Sequence, residues 1–272
     1  MFKASVQDDV HCLKMSRTIM GRPLRASCSF FVNGLVIDGG SPYFKEHLHR
    51  FYSTNKPTQA VFTHCHEDHA GNVDLFNKLG ITPYLDSNAL SYFSSTPRIP
   101  LYRRVVWGNP AAGRCQEIGE LMETEKYTFK VIRTPGHSPD HLCLYEEKKG
   151  WLFTGDLYMG EKILYFYKSE DLVALKQSLA KLASLNFSTL FCSHRGSVAK
   201  GPESLARKLS YIEDMQGKAL QMRKNGYDAQ EITKRLLGKE DYLYVISYGE
   251  FSKTAFVRAL IQESNTENNG KR

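Results

Sequence analysis

Little in this sequence of 272 residues would staple it together or anchor it. Its six cysteines (Cys12, Cys28, Cys65, Cys115, Cys143 and Cys192) are scattered, with no CxxC pair. That spacing argues against a disulfide framework and for free thiols in a reducing compartment. No apolar run of about 18 residues occurs, so nothing predicts a membrane-spanning helix. The first residues carry Asp8, Asp9 and His11 where a secretory leader needs an unbroken apolar stretch. A cytoplasmic protein without a membrane partner is the expectation. There is no internal repeat and no Pro- or Ser-rich linker.

What is present is globular in character, 42% hydrophobic and 24% charged. A chain this long can bury a sizeable core without help from a disulfide or a metal. Lys plus Arg number 36 against 29 Asp plus Glu, a formal charge of +7 that leaves acidic small molecules and RNA both open as partners. Short apolar runs alternate with helical periods. Residues 28–32 and 35–37, split by Asn33-Gly34, read as a hairpin. Residues 60–63, 127–132, 142–145, 151–154 and 189–192 are further strands, and 171–183 is a helix with Leu172, Leu175, Leu179 and Leu182 on one face behind an Asp171 cap. An α/β sheet core over 1–200 is expected from this mixture.

From about residue 200 the pattern is helical. Pro202 opens a helix carrying Leu205, Leu209, Ile212, Met215 and Leu220. Asp228 and Glu231 have capping-box spacing ahead of a helix that stops near Gly238. A last helix is expected from Ser252, with a polar, frayed tail over 264–272. Residues 201–272 thus form a C-terminal helical extension, expected to pack on the core.

The chemistry gathers in His64-Cys65-His66-Glu67-Asp68-His69, directly after an apolar strand. On extended backbone alternate residues share a side, so His64 and His66 are expected to converge on one ion while Cys65 and Glu67 point away. Asp68 and His69 fall where the chain turns, through Gly71, into a helix with Val73, Phe76 and Leu79 that stops at Gly80. They can face a second point beside the first. Imidazole and carboxylate suit zinc, iron or manganese. A polar surface loop is the alternative, and three His and an Asp within six residues weigh against it. Four other segments set a polar residue beside glycine at a strand end: Asp38, His137, Asp156 and His194. Glycine lets the backbone turn sharply and come close to a site.

With Asp38, HCHEDH, His137, Asp156 and His194 in that order, residues 10–200 resemble the metallo-β-lactamase superfamily. The resemblance implies an αββα sandwich with its site at the sandwich edge. It implies one metal ion held by His64, His66 and His137, a second by Asp68, His69 and His194, Asp156 bridging the two, and Asp38 orienting a ligand histidine. Two divalent ions, zinc first and iron or manganese next, would share a hydroxide that attacks an ester, thioester or lactone, with Asp68 relaying a proton to the leaving group. Common β-lactamases have Cys where this chain has Asp156, and the diiron reductases have Glu where it has His66. The run TPGHSPDH (134–141), followed by FTGD, matches the glyoxalase-like branch of dinuclear hydrolases and its endoribonuclease relatives.

A small-molecule acyl hydrolase is therefore the leading reading. An endoribonuclease or phosphodiesterase on the same centre, and a mononuclear iron persulfide dioxygenase, are the alternatives. His141 either serves the metal shell or substrate, or packs at a strand start. His11, His47 and His49 read as surface residues, Cys65 and Cys192 as small core residues, Trp107 and Trp151 as packing. Arg98, Arg103, Arg104 and Arg114 lie in a stretch with no acidic residue. They form either a solvated loop or a substrate-recruiting rim.

Overall fold

The computed structural model describes residues 1–167 and 169–269, the side chains of 263–269 excepted. β1 (Phe2–Gln7) and β2 (Val10–Met15) pair as an antiparallel hairpin, and β3 (Thr18–Ile19) and β4 (Arg22–Pro23) make a small one of their own. The predicted hairpin is present as β5 (Ser27–Val32) and β6 (Leu35–Ile37). β7 (Gln59–Val61), β8 (Tyr84–Leu85) and β9 (Gln116–Glu117) follow in parallel, completing a seven-stranded sheet in the order β1-β2-β5-β6-β7-β8-β9. Parallel pairing sets the carboxyl ends of β6, β7 and β8 at one edge. A second, six-stranded sheet runs through β10 (Leu121–Glu123), β11 (Thr128–Arg133), β12 (Leu142–Glu146), β13 (Trp151–Phe153), β14 (Thr189–Cys192) and β15 (Gly196–Val198).

Every residue of β5 is buried because both of its faces are covered, which is why it reads as an unbroken apolar run. Phe30, Val32, Ile37 and Val61 meet Phe129, Leu144, Phe153 and Phe191 of the second sheet. Phe153 stacks on Phe191 with centroids 4.6 Å apart, and Phe30 stands edge-on to both. On the other face of the first sheet, Leu13, Val36 and Ala60 pack against Leu48 and Tyr52 of α1 (Lys45–Asn55). Beyond α2 (Glu67–Ala70), α3 (Val73–Lys78) adds Val73 and Phe76 to the same core. α4 (Leu101–Trp107) carries much of the arginine stretch.

The chain forms two compact units: 1–134 with 139–159 and 186–202, and 135–138 with 160–185 and 203–272. The sequence division at residue 200 left α5 (Leu172–Ala183) with the first part, whereas it clusters with the later helices. In that second unit Asp171 caps α5 through the Ala174 N–H, and α6 (Gly201–Lys224) is its longest helix. α7 (Ala229–Leu236) has the full capping box of Asp228 and Glu231. α8 (Tyr242–Ile246) and α9 (Lys253–Asn269) close the unit. No helix among the described residues is long and apolar enough to cross a membrane.

The expected turn through Gly71 into a helix is present: α2 ends at Ala70 and α3 starts at Val73, and between them the Asn72 side chain donates to the carbonyls of Gly39 and Gly40 at 3.0 Å. Two local expectations are corrected. The strand before the histidine motif stops at Val61, since the Thr63 N–H is taken by the Asp38 carboxylate instead of a neighbouring strand. The tail expected to fray from residue 264 continues as α9 through Asn269, and 270–272 lie outside the described residues.

Candidate metal centre

Directly after β6, Asp38 adopts φ +62°, a left-handed conformation rare outside glycine. Its buried Oδ1 accepts the Thr63 N–H at 2.8 Å and the Thr63 hydroxyl at 2.9 Å. Oδ2 accepts the Ser193 hydroxyl at 2.7 Å and lies 2.8 Å from His69 Nδ1. One carboxylate thus joins the segments that follow β6, β7 and β14. With Nδ1 engaged there, His69 aims Nε2 into the site.

α2 is a single turn that begins at Glu67 and sets Asp68 and His69 side by side. Asp68, His69 and His194 offer ligand atoms that all lie within 4.8 Å of one another. His194 is oriented by the Ala26 carbonyl, which accepts from Nδ1 at 2.6 Å, and the Trp107 ring stacks on it at 5.9 Å. Trp107 thus packs, as expected, and Trp151 is a core residue.

His64 and His66 sit in a bend and not on the extended strand, yet they converge as expected, with His64 Nε2 2.9 Å from His66 Nδ1. Together with Asp156 they form a second set within 4.8 Å. Asp156 follows Gly155, whose φ is +48° and whose Cβ position would lie 2.6 Å from His141 Nε2, so only glycine fits. His141 donates from Nδ1 to Thr134 Oγ1 at 2.8 Å and accepts the Asp156 N–H on Nε2 at 3.1 Å. It serves the site by holding a neighbouring backbone. His137 lies in the second unit, where its Nδ1 meets Glu170 Oε1 at 2.7 Å.

Electrostatics mark the place for a cation. Burial works against a charged His69 ring, yet Asp38, Asp68 and Asp156 hold its pKa well above the ordinary imidazole range. Burial also opposes ionisation of Asp156 and Asp68, but His194 and His69 keep both below the usual carboxylate range. His69 Nε2 is buried without a hydrogen-bond partner among the described residues, 3.5 Å from Asp68 Oδ2 and 3.4 Å from Asp156 Oδ1. An orphaned imidazole nitrogen among buried carboxylates fits a divalent metal ion, and the His/Asp donor set suits one.

The arginine stretch is divided in its roles. Arg103 forks onto Glu67, with Nε to Oε1 and Nη2 to Oε2 both at 2.7 Å. Arg104 donates to Asn109 Oδ1 at 2.8 Å, while Arg98 and Arg114 keep exposed side chains. Cys65 packs on the core beside α3, and burial, with Asp140 next, pushes its thiol up to about 12, so it is no nucleophile. His47 and His49 are exposed, and His11 packs edge-on to Phe51, none of them near the cluster. Sequence reasoning missed Thr63, Ser193 and Glu170. Thr63 and Ser193 each directly precede a candidate donor histidine, a signal that was there to be read.

Among curated proteins, the Beta-lactamase-like protein 2 homolog of Caenorhabditis elegans is 27% identical over 206 residues, 73% of this chain and 63% of that protein. Thioesterase pkgB of Emericella nidulans is 28% identical over 155 residues, 56% of this chain and 38% of that one. The chain thus spans less than two thirds of the length of either. A metallo-beta-lactamase family protein from Thermus thermophilus shares the fold with a TM-score of 0.68 at 17% identity, over 98% of this chain and 95% of that one. Residues 22–194 match the family model of the metallo-beta-lactamase superfamily, and the chain belongs to that superfamily with the expected α/β sandwich.

Proposed function

We propose that the protein is a metal-dependent hydrolase that uses two divalent cations, zinc in first place, to cleave an ester, thioester or lactone. His64, His66 and His137 would hold one cation, Asp68, His69 and His194 the other, with Asp156 shared. The observation that carries this reading is the position of Asp156. It belongs to the set with His64 and His66, while its Oδ2 lies 3.1 Å from His194 Nε2 and its Oδ1 3.4 Å from His69 Nε2. One buried carboxylate reaching both donor sets is what a bridging ligand requires. When bound, such a cation pair lowers the pKa of a shared water towards neutrality and polarises the acyl oxygen.

The protein's own groups do the rest. Asp38 and Ala26 fix the rings of His69 and His194, so neither must reorganise when substrate binds. His141 holds the backbone of Asp156. Asp68, ionised at neutral pH with Oδ2 3.7 Å from His194 Nε2, accepts the proton of the attacking water and passes it to the departing alcohol or thiol. Trp107 covers the flank of His194 against solvent. The name of the fungal thioesterase relative is consistent with an acyl substrate.

Metal analysis by mass spectrometry, paired with a panel of thioesters, lactones and single-stranded RNA, tests the proposal. Two ions per chain with acyl turnover is the expected result. One iron with oxygen uptake would move the protein to the persulfide dioxygenases, and RNA cleavage without acyl turnover would make it a nuclease.

A further inference from the structure

The second unit contains a cavity of about 610 Å³, within the size range of small-molecule and cofactor sites. It is walled by α7, α9, the loop that holds α8 and the segment around Phe166 and Tyr167. Three cations line it, Lys234, Lys239 and Arg258, and none has an acidic partner among the described residues. Its two carboxylates are already engaged. Glu240 accepts from the Ser252 hydroxyl and from the N–H groups of Lys253 and Thr254 at the start of α9. Glu170 places Oε1 on His137 Nδ1 and accepts the Tyr167 N–H on Oε2. The positive charge of the cavity is therefore available to a ligand and its negative charge is not.

The aromatic side of the wall is equally distinctive. Tyr244 lines the cavity and is 40% exposed, on a segment where Tyr242 is 70% and Tyr248 83% exposed. Planar rings left open beside unpaired cations match a ligand that combines a flat base with phosphate: rings stack on the base, and Lys and Arg take the phosphate oxygens.

We infer that this cavity binds the phosphorylated nucleoside handle of an acyl thioester, an inference resting on the acyl-hydrolase reading above. The handle would give the acyl donor its affinity, through Lys234, Lys239 and Arg258 for the phosphates and Tyr244 for the base. Glu170, in the same wall, fixes His137, so the residue that borders the handle also orients one proposed metal ligand.

Calorimetry on the metal-loaded full chain tests this, with adenosine 3′,5′-bisphosphate as the probe and adenosine and inorganic phosphate as its parts. The bisphosphate should bind more tightly than either part. A variant combining K234Q, K239Q and R258Q, all exposed positions, should lose about tenfold or more in affinity, Tyr244→Ala should weaken binding, and Arg98→Gln should not. The triple variant should raise KM for a nucleotide-bearing thioester and leave an N-acetylcysteamine thioester unchanged. Absent binding, or binding indifferent to the triple variant, overturns the inference while leaving acyl hydrolysis intact. Binding without turnover of either thioester upholds the cavity and sinks the hydrolase reading. A single-stranded oligonucleotide that displaces the bisphosphate at equal nucleotide concentration overturns the small-molecule assignment in favour of RNA.

Discussion

Replacing Arg103 with Met removes a charge and keeps the aliphatic stem in place. In the native chain Glu67 is 1% exposed and Arg103 15%, and the fork closes both carboxylate oxygens at 2.7 Å. An exposed pair would contribute about 1 kcal/mol at most. Stripping the partner from a buried carboxylate costs about 3–5 kcal/mol, and the partial exposure of Arg103 favours the lower end. At roughly 2–4 °C per kcal/mol for a chain of this size, the melting temperature should fall by roughly 6–12 °C. The loss depends on pH. Burial raises the Glu67 pKa, Arg103 opposes that rise and Asp68 adds to it. Removing Arg103 pushes the folded pKa further up, so the unfolded chain releases its proton first and the penalty grows as pH rises from the unfolded carboxylate value near 4.3. Below that value R103M and the parent should converge. Urea unfolding followed by circular dichroism between pH 4 and pH 8 reads both effects. A gap under about 1 kcal/mol at pH 7, or one that fails to close on acidification, would refute this account. The paired substitution of Met for Arg103 and Gln for Glu67 should recover much of the loss, because it leaves no unpaired buried charge.

Asp156→Ala should reduce bound metal from two ions to at most one and cut turnover by at least about a hundredfold, read by mass spectrometry and initial rates. His141→Phe should lower metal affinity about 10–100-fold in chelator competition, because Asp156 loses the acceptor of its N–H. Gly71→Ala should destabilise the chain strongly, since a Cβ there would lie 2.2 Å from the Glu67 carbonyl oxygen; an unchanged melting curve would contradict that packing. In chelator-treated protein the raised His69 pKa contributes stability fully present below about pH 6.5 and lost as pH rises through the folded value. Thermal melts on the chelated protein across that range should show the decline.

The clustering of possible donors was legible because metal chemistry restricts residue type and spacing: three His and an Asp in HCHEDH admit few other uses. The apolar strands were legible for the same kind of reason, since β5 and β14 are nearly all buried and read as continuous runs. β1 was not, because five of its six residues are exposed and no apolar signal exists to find. The single-turn helix α2 was not legible, because four residues are too few to show a helical period. The pairing of Arg103 with Glu67 was not legible, because 36 positions separate the two and no local pattern reveals such a contact. The alternation argument for His64 and His66 reached the right convergence through the wrong backbone, since a bend and not a strand brings the rings together.

Asp38 binds Thr63, His69 and Ser193 at once, using protein groups alone. Asp38, residues 63–69 and Ser193 stand far apart in the sequence, so a single carboxylate makes three distant segments one mechanical unit, and a displacement of any one of them is passed to the other two.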